Sequence, residues 1–206
     1  MGIETKMNVG EFIELPAGKS PSRNGVVSEG CSEHSILISK KVKSYDAKTR
    51  QIQDGFNPKT KKSHRNFIWL PWIVGAVNYT DQGGKDVLSG RFSGCYMIRY
   101  KMAGGAWRIA HVHTPEGIEA WNDLASTPGF DISSGFKPFL VSNVQKYGSN
   151  AHTYGIITDS GLCYRLMVKE TKWNFEKGAA DVYHEIIEIS AIASIPVNEL
   201  KNLKPL

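Results

Sequence analysis

One interval of the chain gathers residue types that do hydrolytic chemistry. The segment Ser89-Gly90-Arg91-Phe92-Ser93-Gly94-Cys95 sets a thiol directly behind a glycine and runs into the strand-like Tyr96-Met97-Ile98-Arg99-Tyr100. A glycine before a nucleophile removes the side chain that would obstruct a substrate carbonyl, and it lets the backbone N–H groups of Gly94 and Cys95 converge where an oxyanion forms. Sixteen residues after Cys95, past a turn at Gly104-Gly105, the next strand-like run carries His111 and His113. A hairpin of that length brings Cys95 and His111 near each other on adjacent strands, as a thiol and its general base require. In an extended strand His111 and His113 face the same way, so spacing leaves either as the base.

Two readings from other classes use the same residues. Gly105 precedes His111 by six positions, and His111 with His113 on one strand face is a common way to bind a transition metal, as in a cupin, with His152 or His184 available as a third ligand. Glu116 follows too soon and Glu119 too late for that pattern, and no second motif completes it. In the other reading the chain is a non-catalytic binding module whose surface is the Trp69-Leu70-Pro71-Trp72 segment and a basic region. Trp69, Trp72 and Trp107 serve equally well as large core residues in β-structure.

The elements that must position these groups read mostly as strands. His34 to Val42, Phe67 to Tyr79, Cys95 to Lys101, Ala106 to His113, Lys137 to Val144, Thr153 to Asp159, Leu162 to Lys169 and Val182 to Ile192 are rich in β-branched and aromatic residues and are separated by Gly, Pro, Asn or Ser. One helix interrupts them, with Thr114 as N-cap, Pro115 at the first helical position, and Ile118, Trp121, Leu124 and Ala125 at helical spacing. The tail from Pro196 adds a short second one. No repeat or linker divides the chain, so a single domain over residues 1–206 is expected, of α+β class, with mixed β-sandwich-like sheets flanked by a few helices.

With 206 residues, 41% hydrophobic and 22% charged, the chain buries a core of ordinary size and is too apolar to be disordered. Its net charge of +5 is concentrated. Lys40 to Arg65 holds nine basic residues against Asp46 and Asp54, which leaves the remainder at −2. Such a segment is either a solvated strand edge and loop or a dock for an acidic protein, and without aromatic interleaving or a recognised motif nucleic acid is not an expected partner. Cys31, Cys95 and Cys163 lie more than sixty residues apart, which excludes a metal knuckle and points to free thiols. The longest apolar stretch, Phe67 to Val77, is broken by Pro71 and Gly75, and Met1 to Gly10 lacks a signal core. A soluble protein, expected to be a monomer, follows.

The residues Phe67-Ile68-Trp69-Leu70-Pro71-Trp72, Ser93-Gly94-Cys95, Gly104-Gly105 and His111-Val112-x-x-Pro115 together resemble the family of the Burkholderia lethal factor and the catalytic domain of the cytotoxic necrotizing factors. Ser89-x5-Cys95 followed by Ala110-His111-Val112-x-x-Pro115 is also similar to the bacterial chemoreceptor glutamine deamidases. The resemblance runs from about Phe67 to Leu124. It implies a cysteine-dependent protein-glutamine deamidase that uses no cofactor, with Cys95 as nucleophile and His111, favoured by the Ala-His and Pro115 alignment, as base. Ser89 takes the place of the third residue, often Thr in the family, and keeps its hydroxyl. Trp69, Trp72 and His113 are then candidates for substrate contact. The implied partner is a protein bearing a reactive glutamine in a host or target cell, and the implied role is a bacterial toxin or effector brought there by a secretion system or by uptake.

Overall fold

Alternating burial along the strands produces two packed sheets. The computed structural model describes residues 2–16, 22–46, 51–56, 62–176 and 179–204. Its strands are β1 (Glu11–Ile13), β2 (Gly25–Val27), β3 (Ser32–Asp46), β4 (Gln51–Phe56), β5 (Lys62–Pro71), β6 (Ala76–Asp81), β7 (Asp86–Phe92), β8 (Tyr96–Lys101), β9 (Arg108–Val112), β10 (Asp131–Phe136), β11 (Ala151–Ile157), β12 (Cys163–Glu176) and β13 (Ala179–Ile192). The helices are α1 (Ile118–Ala125), α2 (Val141–Tyr147) and α3 (Val197–Leu200). The class is α+β, as expected.

The larger sheet has the order β1-β13-β12-β11-β7-β5-β3-β4, and β1 pairs a second time, with β3. The strands from β1 round to β3 therefore close into a ring, which removes the open edges that a flat sheet would expose. Phe67 and Trp69 of β5, Leu88 of β7, Tyr154 and Ile156 of β11, Leu166 and Val168 of β12 and Ile186 of β13 fill its interior. The second sheet has the order β10-β8-β9-β6-β2 and lies against the outer face of β5, β7 and β11. The mixed, sandwich-like sheets with a few helices expected from sequence are present, with the larger sheet closed into a ring, or barrel, and the smaller laid on its side.

Three apolar layers follow. The residues of β5 and β7 that point out of the barrel, Ile68, Leu70 and Val87, pack with Phe92 against Cys95, Met97 and Ile109 of the second sheet. Opposite side chains of that sheet, Tyr96, Ile98, Tyr100, Ala110 and Val112, pack against Ile118 and Trp121 of α1 and Leu200 of α3. Trp121 is fully buried and donates its indole N–H to the Leu200 carbonyl at 2.7 Å, which ties the tail to α1. Close approach of the two sheets needs Gly155 of β11, because a Cβ there would lie 2.9 Å from the Met97 sulfur and 2.8 Å from Pro138.

Three sequence expectations are corrected. The run from Phe67 to Tyr79 is two strands in different sheets, broken after Pro71 and turned at Gly75, whose φ of +83° and 2.6 Å Cβ approach to the Arg23 carbonyl admit only glycine. Lys137 to Val144 is not a strand. Its second half enters α2, and Leu140 and Val141 are exposed, so the apolar run marks surface rather than a buried strand. Helix α1 starts after Gly117 rather than at Thr114, and the Gly117 N–H bonded to the His113 carbonyl at 2.8 Å closes a turn across Thr114 and Pro115 first. Within the basic segment, residues 47–50 and 57–61 lie outside the described residues, and the docking role expected of it gains no description here. Among the described residues, no helix is long and apolar enough to cross a membrane.

Candidate active site

Strand register decides which functional side chains meet. In the antiparallel pair of β8 and β9, Met97 stands opposite His111 and Tyr96 opposite Val112. Cys95 precedes Tyr96 and shares the barrel-facing side with Met97 and Ile109, so Cys95 and His111 are diagonal neighbours on one face. In such pairs the Cβ atoms are about 7–8 Å apart or somewhat less. From the barrel side, β7 pairs in parallel with β5, setting Ser89 beside Leu70. The site therefore sits at the seam between the two sheets, with Ser89 from one and Cys95 and His111 from the other.

Ser89 and His111 are both buried, and Ser89 Oγ lies 2.7 Å from His111 Nδ1 and 2.6 Å from the Leu70 carbonyl oxygen. A hydroxyl has one proton, and two bare oxygens at 2.6 Å repel, so Ser89 donates to the Leu70 carbonyl and accepts from His111 Nδ1–H. That choice of tautomer leaves His111 Nε2 unprotonated. This nitrogen is buried and has no hydrogen-bond partner. Burial, and secondarily the charge of His113, push the His111 pKa down to about 3, so the imidazole rests neutral and its Nε2 carries a lone pair. Phe92 fixes the ring from its other side, stacked at 4.2 Å and 4°.

Phe92 reaches His111 through an irregularity in β7. Tyr154 of β11 pairs with Gly90 and Thr153 pairs with Phe92, so Arg91 is an extra residue. Without this bulge Phe92 would point into the barrel with Leu88, whereas with it Phe92 joins the face of Ser89. Around Cys95, burial raises the thiol pKa, and hydrogen bonds from the backbone and hydroxyl of Thr114 and from its own backbone N–H oppose this. Thr114 is thus the residue whose polar groups favour the thiolate form of Cys95. The resting pair is thus an uncharged thiol and an uncharged imidazole rather than a preformed ion pair.

The remaining predicted residues separate. Trp69 points into the barrel interior, 6.2 Å from the Tyr154 ring centroid, and does not reach the site. Gly94 occupies the bend between β7 and β8. His113 stacks on Trp72 at 5.9 Å and 17°, and its Nδ1 lies 2.9 Å from Glu116 Oε2, so His111 and His113 have different partners. Among the described residues, no group of three or more His, Cys, Asp or Glu is arranged to hold a metal ion. Cys31 and Cys163 are free thiols, and burial pushes each up to about 11. Thr114, Phe92 and the Leu70 carbonyl are the contributors that spacing did not mark.

Beside the site opens a cavity of about 320 Å³, walled by Trp72, Phe92 and Phe139 and edged by Arg91, Ser93 and His152. Arg91 donates from Nη2 to Glu170 at 2.8 Å and from Nε to the Tyr154 hydroxyl at 3.4 Å. His152 Nε2 lies 3.4 Å from the same Glu170 oxygen. His184, paired across the strands with Glu170, is buried with neither ring nitrogen hydrogen-bonded.

No protein-family model matches the chain. No curated protein matches it either. Among solved structures, the chain is similar to the C-terminal domain of CNFy from Yersinia pseudotuberculosis, at a TM-score of 0.35 and 11% identity, over 79% of this chain and 72% of that one. A likeness of that size leaves the chemistry to be argued from the chain's own residues.

Proposed function

We propose that the chain is a cysteine hydrolase that deamidates a glutamine side chain of a target protein. The observation that carries this reading is the buried Ser89–His111 hydrogen bond, which holds an unprotonated, unpartnered Nε2 on the face of Cys95. Support also comes from the resemblance of the Ser89–Cys95 and Ala110–Pro115 segments to glutamine deamidases of toxins and chemoreceptor systems.

Because both partners rest neutral, proton transfer accompanies attack. His111 Nε2 takes the Cys95 thiol proton as sulfur bonds to the carboxamide carbon and the carbonyl oxygen becomes an oxyanion. The N–H of Cys95, with the N–H and hydroxyl of Thr114, supplies donors to that oxygen, and loss of one such donor typically lowers the rate by roughly 10² to 10³. The imidazolium then protonates the leaving nitrogen, ammonia departs, and a thioester remains. His111 next removes a proton from water, hydroxide displaces sulfur, and the product is glutamate with the thiol restored. An amine in place of water gives transglutamination. As a toxin or effector, the chain acts in the cytoplasm of a target cell.

The test is to incubate extract of candidate target cells with the protein and with Cys95→Ser, and to map glutamine-to-glutamate conversions by mass spectrometry. Conversions confined to the unaltered protein, and reduced about 10² to 10⁴-fold by His111→Gln, are expected. Identical maps would reject the reading.

A further inference from the structure

The cavity and the candidate base share a wall. Two of its rings, Trp72 and Phe92, are those stacked on His113 and His111, and Ser93 on its edge lies two residues before Cys95. A chain segment lying in it therefore runs along Phe92, the ring stacked on His111, and past Ser93. Aromatic walls suit the apolar stem of a long side chain. The cavity edge carries the guanidinium of Arg91 and no Asp or Glu.

Arg91 is the extra residue of the bulge that turns Phe92 out of the barrel toward His111. Phe92 stacks on the imidazole while Arg91 lines the cavity rim. Glu170 and Tyr154 hold the guanidinium through Nη2 and Nε, and three further N–H donors remain on it. With its side chain 48% exposed, it is held from behind and open in front. An arginine so oriented makes charge-assisted hydrogen bonds to an incoming carboxylate, and it repels a cation.

We propose that this cavity receives the target segment and that Arg91 is a specificity-determining residue which selects an acidic side chain next to the reactive glutamine. This rests on the deamidase reading of Cys95. Phe139 and the exposed Leu140 and Val141 that follow it continue the apolar wall onto the surface, where flanking parts of the segment lie.

Two measurements test it separately from that reading. In the first, ammonia release is followed from capped peptides in which glutamine is flanked by Glu or by Lys. The expected result is an advantage of about tenfold or more for the Glu peptides, lost in Arg91→Gln, reversed in Arg91→Glu and kept in Arg91→Lys. In the second, Cys95 is alkylated with iodoacetate or with iodoacetamide, and the modified peptide is quantified with Cys31 as internal control. The ratio of the anionic to the neutral reagent at Cys95 falls about tenfold in Arg91→Gln, and at Cys31 it does not change. Peptide turnover that depends on Cys95 yet ignores flanking charge overturns the role of Arg91 and leaves the deamidase reading standing. If the extract maps are identical while the alkylation ratio is still set by Arg91, the deamidase is rejected and the anion preference is retained. A ratio indifferent to Arg91 overturns the proposal outright.

Discussion

Two polar clusters lie on either side of one residue of β7, and they are built on opposite principles. Ser89, His111 and Cys95 are buried and uncharged, and the geometry of each is set by neighbours: the Leu70 carbonyl, the Phe92 ring and the Thr114 donors. Arg91, Glu170 and His152 carry or border formal charge and are partly open to water. In the dry cluster a single proton's position sets reactivity, because an unmade hydrogen bond there has no water to replace it. In the wet cluster the field of a fixed charge matters more than the placement of any one proton, and a partner can displace solvent without opening the core. The contrast suits chemistry to the first cluster and recognition to the second.

The sharpest way to break this contrast is to remove the hydroxyl that sets the tautomer. Ser89→Ala leaves the Leu70 carbonyl and His111 Nδ1–H without partners in a dry seam, so glutamine turnover is expected to fall about 10 to 100-fold and stability by about 1–3 kcal/mol. Ser89→Thr keeps the hydroxyl and recovers the turnover. If Ser89→Ala matches the unaltered protein in kcat, Ser89 does not orient the base.

A second test concerns acid. Burial holds the His184 pKa down to about 4, with the charge of Arg91 and of His152 acting the same way against Glu170, and His111 is held near 3. The unfolded chain binds a proton at each imidazole below about 6.5 while the folded one does not. Folding stability is therefore full above that pH and declines as pH falls toward 4, by up to about 1.4 kcal/mol per pH unit for each histidine. His184→Phe, which loses no hydrogen bond, should halve the part of this slope due to the two imidazoles, as read from urea midpoints between pH 7 and pH 5. Parallel slopes for the two proteins would show that His184 titrates normally when folded.

The smallest effect is expected at Glu170. Its pairing with Arg91 is partly exposed, so Glu170→Gln changes stability by less than about 1 kcal/mol. Removing that internal carboxylate also removes a competitor for Arg91, and the Glu-over-Lys peptide preference should rise. A preference that falls would show that the hold of Glu170 on Arg91 outweighs its competition with the substrate carboxylate.

The dry cluster was partly legible in the chain, and the wet one was not. Ser89, Cys95 and His111 stand at spacings that two neighbouring strands and a hairpin preserve, so local pattern reaches them. Phe92 is different, because its direction depends on a register shift against β11, more than sixty residues away in sequence. Trp69 lies on the barrel-interior face of β5 for a similarly non-local reason: closure of the barrel by the three-residue β1 decides which face of β5 is inside. Arg91, Glu170 and His152 come from three strands, and nothing in their own neighbourhoods announces the meeting. Thr114 is a cap residue by type, but α1 begins only after Gly117, and the polar groups of Thr114 favour the Cys95 thiolate instead.

The Ser89–His111 bond joins the barrel to the sheet laid on it. An imidazole whose tautomer is fixed and whose lone pair is free therefore exists only where those two halves have docked in register. A nascent chain, or one whose sheets have slid by a residue, holds an unarmed cysteine, so the enzyme activity proposed for this chain is switched on by its own assembly.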